Sequence, residues 1–455
     1  MKLSIYDTLT REVKEIKQSG SILTMYCCGP TVYRDSHVGN LRTFLLSDLI
    51  HRALLQQGFK VNFIQNITDV GHMSEDVAAE DKMLQQARLE ARDPFEIARG
   101  YEELFHKDLN RLNILPANAY PRASETIELM QQNITKLIED GFAYVTTDGS
   151  VYFDSRSFDS YGAISGNRLD SLKPGHRYEF SDEGDKKFHA DWALWKAAGA
   201  RTEMIWDSPW GAGFPGWHIE CTAMSLSLLA GHVDVHVGGI DLRFPHHENE
   251  RAQSNSIIRS EAVDLWVHGE HLLFEGRKMS KSANNVVLVQ DLIERELDPL
   301  ALRLCLLENR YRAQMDLTWA ALDAANATLR RWRTAMSAWG ESTEIQEDSE
   351  ISSAIAKDLD TPRAVIRLRA IEKDVQFSNQ EKRAIFNYAD QVLGLDLART
   401  IIAKPLSTEQ QNLLNERAQA RASKDWKRSD LLRDQLLAQG LTINDGPSGQ
   451  TWTWT

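Results

Sequence analysis

The sequence predicts an α/β protein, with a parallel-sheet nucleotide-binding fold interrupted by an insertion and followed by helical segments. Three observations predict it. Apolar strand candidates at 22–28 and 61–67 flank a helix in which Leu41, Leu45, Leu49 and Ala53 recur every four residues; this strand–helix–strand unit implies parallel pairing. Strand-like runs return at 233–236 and 265–268, after an intervening stretch of different texture. From 298 to about 395 the apolar spacing is helical.

Each element has a local reason. Gly29 and Pro30 stop the first strand, and Gly58 can end the helix that follows. Residues 95–140 read as helical, and 140–200 as a mixed segment with turn signals and an acidic loop at 181–185. Thr361 followed by Pro362 marks a helix start, with the threonine oxygen as cap and proline at the first helical position. From about Thr408 a helix pair leads into a turn-rich tail at 444–447.

Composition narrows the class. A chain of 455 residues exceeds one ordinary core, so two to four domains are expected. No run approaches eighteen apolar residues and the N-terminus turns polar at once, so no membrane span or apolar signal segment is expected. Four cysteines, at 27, 28, 221 and 305, are too few for a disulfide framework and point to a cytoplasmic protein with reduced thiols. The net charge of −13 argues against a protein that coats DNA. Residues 417–433 nevertheless carry six basic side chains against two acidic ones, which fits either a nucleic-acid contact or a solvated helix face.

All thirteen histidines fall between His37 and His271, so titratable and metal-binding chemistry is concentrated there. Cys28, Cys221, His246 and Glu250 offer two thiolates, an imidazole and a carboxylate, a donor set suited to Zn²⁺, with His246 and Glu250 one helical turn apart. Cys27 competes with Cys28, because one sequence does not fix which face of the strand looks into a pocket. His218 and His247 are supporting or structural candidates, and Cys305 lies on an apolar helix stripe that suits core packing. His37-Val38-Gly39-Asn40 follows the first strand and opens the first helix, where free N–H groups and the helix dipole favour phosphate. Lys278-Met279-Ser280-Lys281-Ser282 places two lysines on a short polar loop, able to stabilise a pyrophosphate leaving group.

In this order and about 240 residues apart, the two motifs resemble the paired signatures of class I aminoacyl-tRNA synthetases. Within that class the stretches 26–33, 66–69, 216–221, 241–250 and 277–284 resemble the cysteinyl-tRNA synthetase family, and the likeness runs nearly end to end. The family's cysteine stands directly before the glycine, which favours Cys28 over Cys27. The resemblance implies a Rossmann-type catalytic domain with halves at 1–135 and 206–296, a connective insertion at 136–205, a helical bundle at 297–396 and an anticodon-binding region at 397–455. It implies one Zn²⁺ held by Cys28, Cys221, His246 and Glu250, with Thr68, Trp217, His236 and Asp241 lining a cysteine pocket. ATP with Mg²⁺ would meet His37, Gly39, Asn40, Lys278 and Lys281, and the tRNA(Cys) anticodon would meet Arg421, Trp426, Asp430 and Asp445. The implied activity is ligation of cysteine to tRNA(Cys) by a monomer.

Two departures from the family pattern stand out: Asn40 where many class I enzymes have histidine, and Val237 interrupting a glycine run after His236. A tRNA-independent ligase of the mycothiol pathway shares the implied zinc site but resembles the chain less around 29–33 and lacks a full anticodon-binding end. A catalytically retired RNA-binding paralogue is the rival from another class, and the intact donors and lysines argue against it.

Overall fold

The computed structural model describes residues 2–70, 82–172, 185–279, 285–400, 406–446 and 449–454. Its centre is a four-stranded parallel sheet in the order Val263–Gly269, Val233–Gly239, Leu23–Cys27, Val61–Gln65. Val233–Gly239 is buried at every position, as expected of a strand covered on both faces. From Leu23–Cys27 the chain goes outward to Val61–Gln65 on one side, and from Val233–Gly239 to Val263–Gly269 on the other. Strand order therefore reverses between these two central strands, and the carboxyl ends at such a reversal are where open α/β sheets bind their ligands.

The first helix, Val38–Gln56, buries Leu41, Leu45, Leu49 and Ala53, and Gly58 beyond it takes φ +84°. Helix, however, does not run through 95–140. It breaks between Pro94–Arg111 and Ile127–Glu139, leaving only a short 3-10 turn at Ala123–Glu125. Pro116 and Pro121 cannot supply helical N–H groups, and Ala119 and Arg122 instead bridge to Ile64 and Ile67 beside the edge strand.

The mixed segment folds as a four-stranded antiparallel sheet, Ala143–Val145, Val151–Phe153, Trp192–Ala197 and Gly213–Pro215. Its last strand lies past residue 205, within the stretch the sequence reading assigns to the second catalytic half. Most of the acidic loop, 181–184, lies outside the described residues.

Helices Leu300–Leu307, Trp319–Ala338, Ser349–Ala356, Thr361–Lys373 and Asn379–Leu393 follow, together with one strand the helical reading misses. Met315–Leu317 pairs in parallel with Leu272–Phe274, and three residues are too few to show a period. The start at Thr361 also needs correction. Asp360 is the N-cap and makes no capping hydrogen bond, Thr361 is already helical, and the Asp360 carboxylate pairs with Arg310 instead. Cys305 is 2% exposed, part of the core.

Residues 400–455 form a separate compact unit. Helices Thr408–Ala422 and Trp426–Ala438 close on a small core of Leu414, Leu436, Leu441 and Ile443. The tail is a β-hairpin, Leu441–Gly446 against Gly449–Trp454, rather than irregular turns. Among the described residues, no helix is long and apolar enough to cross a membrane.

One buried ionic knot ties the first helix to the helical region. Asp48 and Arg303, both 0% exposed, pair, and Arg303 also donates to the carbonyls of Leu112, Asn113 and Leu393. Arg52 donates to Asp48 as well. Removing one partner of a buried pair costs about 3–5 kcal/mol, and because Arg52 remains with Asp48, Arg303→Met falls at the lower end, about 3 kcal/mol. The urea midpoint of unfolding measures it, and an unchanged midpoint contradicts this account.

Candidate metal and nucleotide site

The strand alternation decides between the two adjacent cysteines. Cys27 faces the layer holding the first helix, where Gln65 donates to it, and burial pushes its thiol up to about 12. Cys28 faces the opposite layer, beside Tyr26. Two helices deliver its neighbours: Trp217–Leu228 carries Cys221, and His246–Ile258 carries His246 and Glu250 one turn apart. Cys28 Sγ lies 3.8 Å from Cys221 Sγ and 3.5 Å from Glu250 Oε1, and His246 Nε2 lies 2.9 Å from that same oxygen. All four residues are at most 4% exposed.

A tetrahedral ion with bonds of about 2.0–2.3 Å needs donor–donor edges of about 3.3–3.8 Å, so the cluster has nearly the dimensions of a metal centre. His236 and His247 complete a second set with Cys28 and Glu250, all donor atoms lying within 4.8 Å of one another. Glu250 Oε2 and His236 Nδ1 are buried without a hydrogen bond, which leaves the cluster incomplete as a purely hydrogen-bonded network. The structure thus brings His247 as close to Cys28 as any expected donor, although its sequence neighbour His246 drew the first attention.

Burial sets the protonation states. It drives the Cys28 thiol and the Glu250 carboxyl well above their ordinary values, and His236 and His247 well below theirs. Burial would raise Cys221 too, but hydrogen bonding by Cys28 and the proximity of His246 bring it to about 7. Each of His246 and His247 leans on an outer ring: His246 Nδ1 lies 2.9 Å from His218 Nδ1, and His247 Nδ1 lies 2.9 Å from His268 Nε2.

Among the expected cysteine-pocket residues, Trp217 stacks on His246 with centroids 4.2 Å apart, and His236 stacks on Trp266 at 4.5 Å. Thr68 Oγ1 donates to Glu220 and accepts from Asn66. The loop carrying Thr68 is pinned by buried Asp69, which accepts from Ser124 and Arg99. Asp241 is exposed, on the 3-10 turn Ile240–Arg243, and its charge reaches His37.

The first nucleotide motif is a capping box. His37 Nδ1 accepts from the N–H groups of Gly39 and Asn40, and Asn40 Oδ1 accepts from the His37 N–H. These N–H groups are therefore not free for phosphate, contrary to the expectation from sequence. An accepting Nδ1 puts the ring proton on Nε2, which becomes the donor available to a ligand. Burial and nearby Arg34 lower His37 to about 4, so the ring is neutral. A Cβ at Gly39 would stand 2.8 Å from Met279 Cε, so the two motifs meet there. Lys278 is exposed and its carbonyl accepts from Asn285, whereas Lys281 lies outside the described residues.

In the C-terminal unit, Asp445 accepts from both Arg417 and Arg421, and Asp430 pairs with Arg433. Arg428 pairs with Glu416, so four of the six cations expected to form a basic face are engaged by carboxylates. Trp426 is 56% exposed, with the Arg421 guanidinium 5.7 Å from its ring centre.

A class I architecture follows from this geometry, and the comparisons agree. Residues 13–327 match the model of the tRNA synthetases class I (C) catalytic domain, and 403–452 that of the cysteinyl-tRNA ligase anticodon binding domain. Similar folds include Mycobacterium tuberculosis methionyl-tRNA synthetase in complex with methionyl-adenylate, with TM-score 0.55, 15% identity, and coverage of 83% of this chain and 90% of that one. The Agrobacterium radiobacter LeuRS ternary complex gives TM-score 0.59 at 11% identity, covering 83% and 84%. The chain is 40% identical to the cysteine--tRNA ligase of Thermus thermophilus and 38% identical to that of Chlamydia muridarum, each alignment covering 99% of both chains. It belongs to the cysteine--tRNA ligase family.

The protonation states carry a prediction. Cys28 and Glu250 hold protons at neutral pH and Cys221 is half-ionised, so metal uptake at pH 7 expels about two to three protons per ion. Affinity therefore falls as pH drops below 7, and the Cys221 share of the release disappears above it. Indicator-dye titration of metal-free protein in weak buffer checks this; release of no protons contradicts it.

Proposed function

We propose that the chain activates L-cysteine with ATP and transfers it to tRNA(Cys). The observation carrying this reading is the buried Cys28–Cys221–His246–Glu250 cluster, with Cys28 directly after the central strand Leu23–Cys27, in a chain of this family. Cys28, Cys221, His246 and Glu250 would hold one Zn²⁺. When bound, such an ion supplies thiol selection, since a hydroxyl does not replace sulfur as a ligand, and roughly 10⁴-fold discrimination against serine is within reach of a site built on one polar group.

The remaining roles belong to the chain's own side chains. Trp217, Thr68, His236 and Asp241 line the cysteine pocket, and stacking on Trp217 holds the His246 ring in place. His37 donates from Nε2 to ATP phosphate, Asn40 keeps His37 in that tautomer through the capping box, and Gly39 leaves space for adenine beside the backbone. Lys278 and Lys281 stabilise pyrophosphate as the cysteine carboxylate attacks the α-phosphate of Mg²⁺-bound ATP. The terminal ribose hydroxyl of tRNA then attacks the adenylate carbonyl. No side-chain nucleophile is needed, because positioning and electrostatics supply the rate.

We assign 1–135 and 206–296 to the two halves of the catalytic domain, 136–205 to the connective insertion, 297–396 to the helical bundle and 397–455 to anticodon binding. In that last region Trp426 stacks on a base, Asp430 reads polar edges, and Arg421 with Asp445 sets the frame around them. The chain acts as a cytoplasmic monomer in this reading.

Charging of total tRNA with labelled cysteine, ATP and Mg²⁺ in excess unlabelled serine is the test. Serine-resistant label on tRNA is expected; none, from protein that holds zinc, sinks the reading. Trp426→Ala is expected to weaken tRNA binding by about 1–3 kcal/mol, the usual worth of one stacked base, while leaving cysteine-dependent ATP–pyrophosphate exchange unchanged. Equal loss in both assays would remove Trp426 from RNA recognition.

A further inference from the structure

We propose that the cluster offers its metal ion a second, overlapping seat made by Cys28, His236, His247 and Glu250, for a zinc-like divalent cation. The inference rests on the metal reading above and goes beyond its ligand set. Cys28 Sγ lies 3.4 Å from His236 Nε2, 3.3 Å from His247 Nε2 and 3.5 Å from Glu250 Oε1. His236 Nε2 lies 3.6 Å from Glu250 Oε2, and His247 Nε2 lies 3.9 Å from Glu250 Oε1. The Cys28 distances match the edges of a tetrahedron with bonds of about 2.0–2.3 Å, and the two rings lie beside different oxygens of Glu250, one of which would be the ligand atom.

The surroundings hold His247 as a ligand ring is held. Its Nδ1 faces His268 Nε2 at 2.9 Å, and His268 Nδ1 faces Thr8 Oγ1 at 2.8 Å. With the ring protons of His247 and His268 directed outward along this chain, the His247 Nε2 lone pair would face Cys28 and Glu250, the outer-partner arrangement typical of metal-bound imidazole. Gly238 gives the ring its room, since a Cβ there would stand 2.4 Å from His247 Cε1.

Charge favours the second seat as a place to bury an ion. One thiolate and one carboxylate neutralise a divalent cation, whereas two thiolates and a carboxylate leave a net negative charge in a pocket shielded from water. Cys28 and Glu250 serve both seats; Cys221 and His246 serve only the first, His236 and His247 only the second. Loss of Cys221 or His246 therefore shifts the ion rather than releasing it.

The test is metal stoichiometry of the full chain after dialysis, with cobalt substitution to report thiolate ligands. Cys221→Ala is expected to keep about one ion per chain, with the thiolate-to-cobalt charge-transfer band near half its original intensity. Cys221→Ala/His247→Ala and Cys28→Ala are expected to lose the ion, and His247→Ala alone to keep it with an unaltered band. Cys221→Ala as empty as Cys28→Ala, or a double variant that still holds its ion, overturns the second seat while leaving the first intact. A wild-type chain that binds no ion overturns the metal reading itself and this inference with it. Thermal melting checks folding, and His246→Gln, which also removes a first-seat donor only, replaces Cys221→Ala if that variant unfolds.

Discussion

The constraint on which the site depends is the burial of ionisable groups. Cys28, Cys221, His236, His246, His247 and Glu250 are all at most 4% exposed, where an unpaired charge costs several kcal/mol. Such a cluster persists either by keeping its groups largely uncharged, with Cys221 at about 7, or by holding a cation. Without an ion, the thiol of Cys28 and the carboxyl of Glu250 retain their protons and the imidazoles of His236 and His247 lose theirs. The outer rings of His218 and His268, the stacked Trp217 and Trp266 and the bare backbone of Gly238 pack around the cluster.

Much of this was legible in the sequence, for reasons that differ by residue. The strand–helix–strand pattern was readable because apolar residues recur with a clear period at 41, 45, 49 and 53. The competition between Cys27 and Cys28 was not, because alternation fixes opposite faces without saying which face meets a pocket. The placement of His247 was not legible either, since it rests on His268 and Thr8, more than twenty and two hundred residues away in the chain. The break at 112–126 and the strand Met315–Leu317 are tertiary outcomes, in which neighbouring strands took backbone groups that local periodicity had assigned to helix.

Partner competition also explains the features that charge and capping rules misjudged. Thr361 looked like a cap, yet Asp360 occupies that position and its carboxylate is committed to Arg310. The basic stretch at 417–433 reads as a nucleic-acid contact or a solvated helix face, and the hairpin returns Asp445 to its Arg417 and Arg421. Net charge counted along a sequence overestimates a patch whenever its counter-ions arrive from a later element.

The nucleotide motif shows the same competition turned to use. A helix N-terminus attracts anions through its free N–H groups, but His37 has taken two of them with its own Nδ1. That commitment fixes the tautomer, so the ring presents a single donor, Nε2–H, with no equilibrium between alternatives. Asparagine at position 40 suffices for this purpose, because its role is to accept from the His37 backbone, which an amide oxygen does. The departure from histidine at that position thus preserves the geometry of the turn. A Cβ at position 39 would stand 2.8 Å from Met279 Cε and 2.9 Å from His37 Cε1, so the bare glycine leaves both side chains their room. Position 39 is held by sterics and position 40 by hydrogen bonding, and both serve the one ring at position 37.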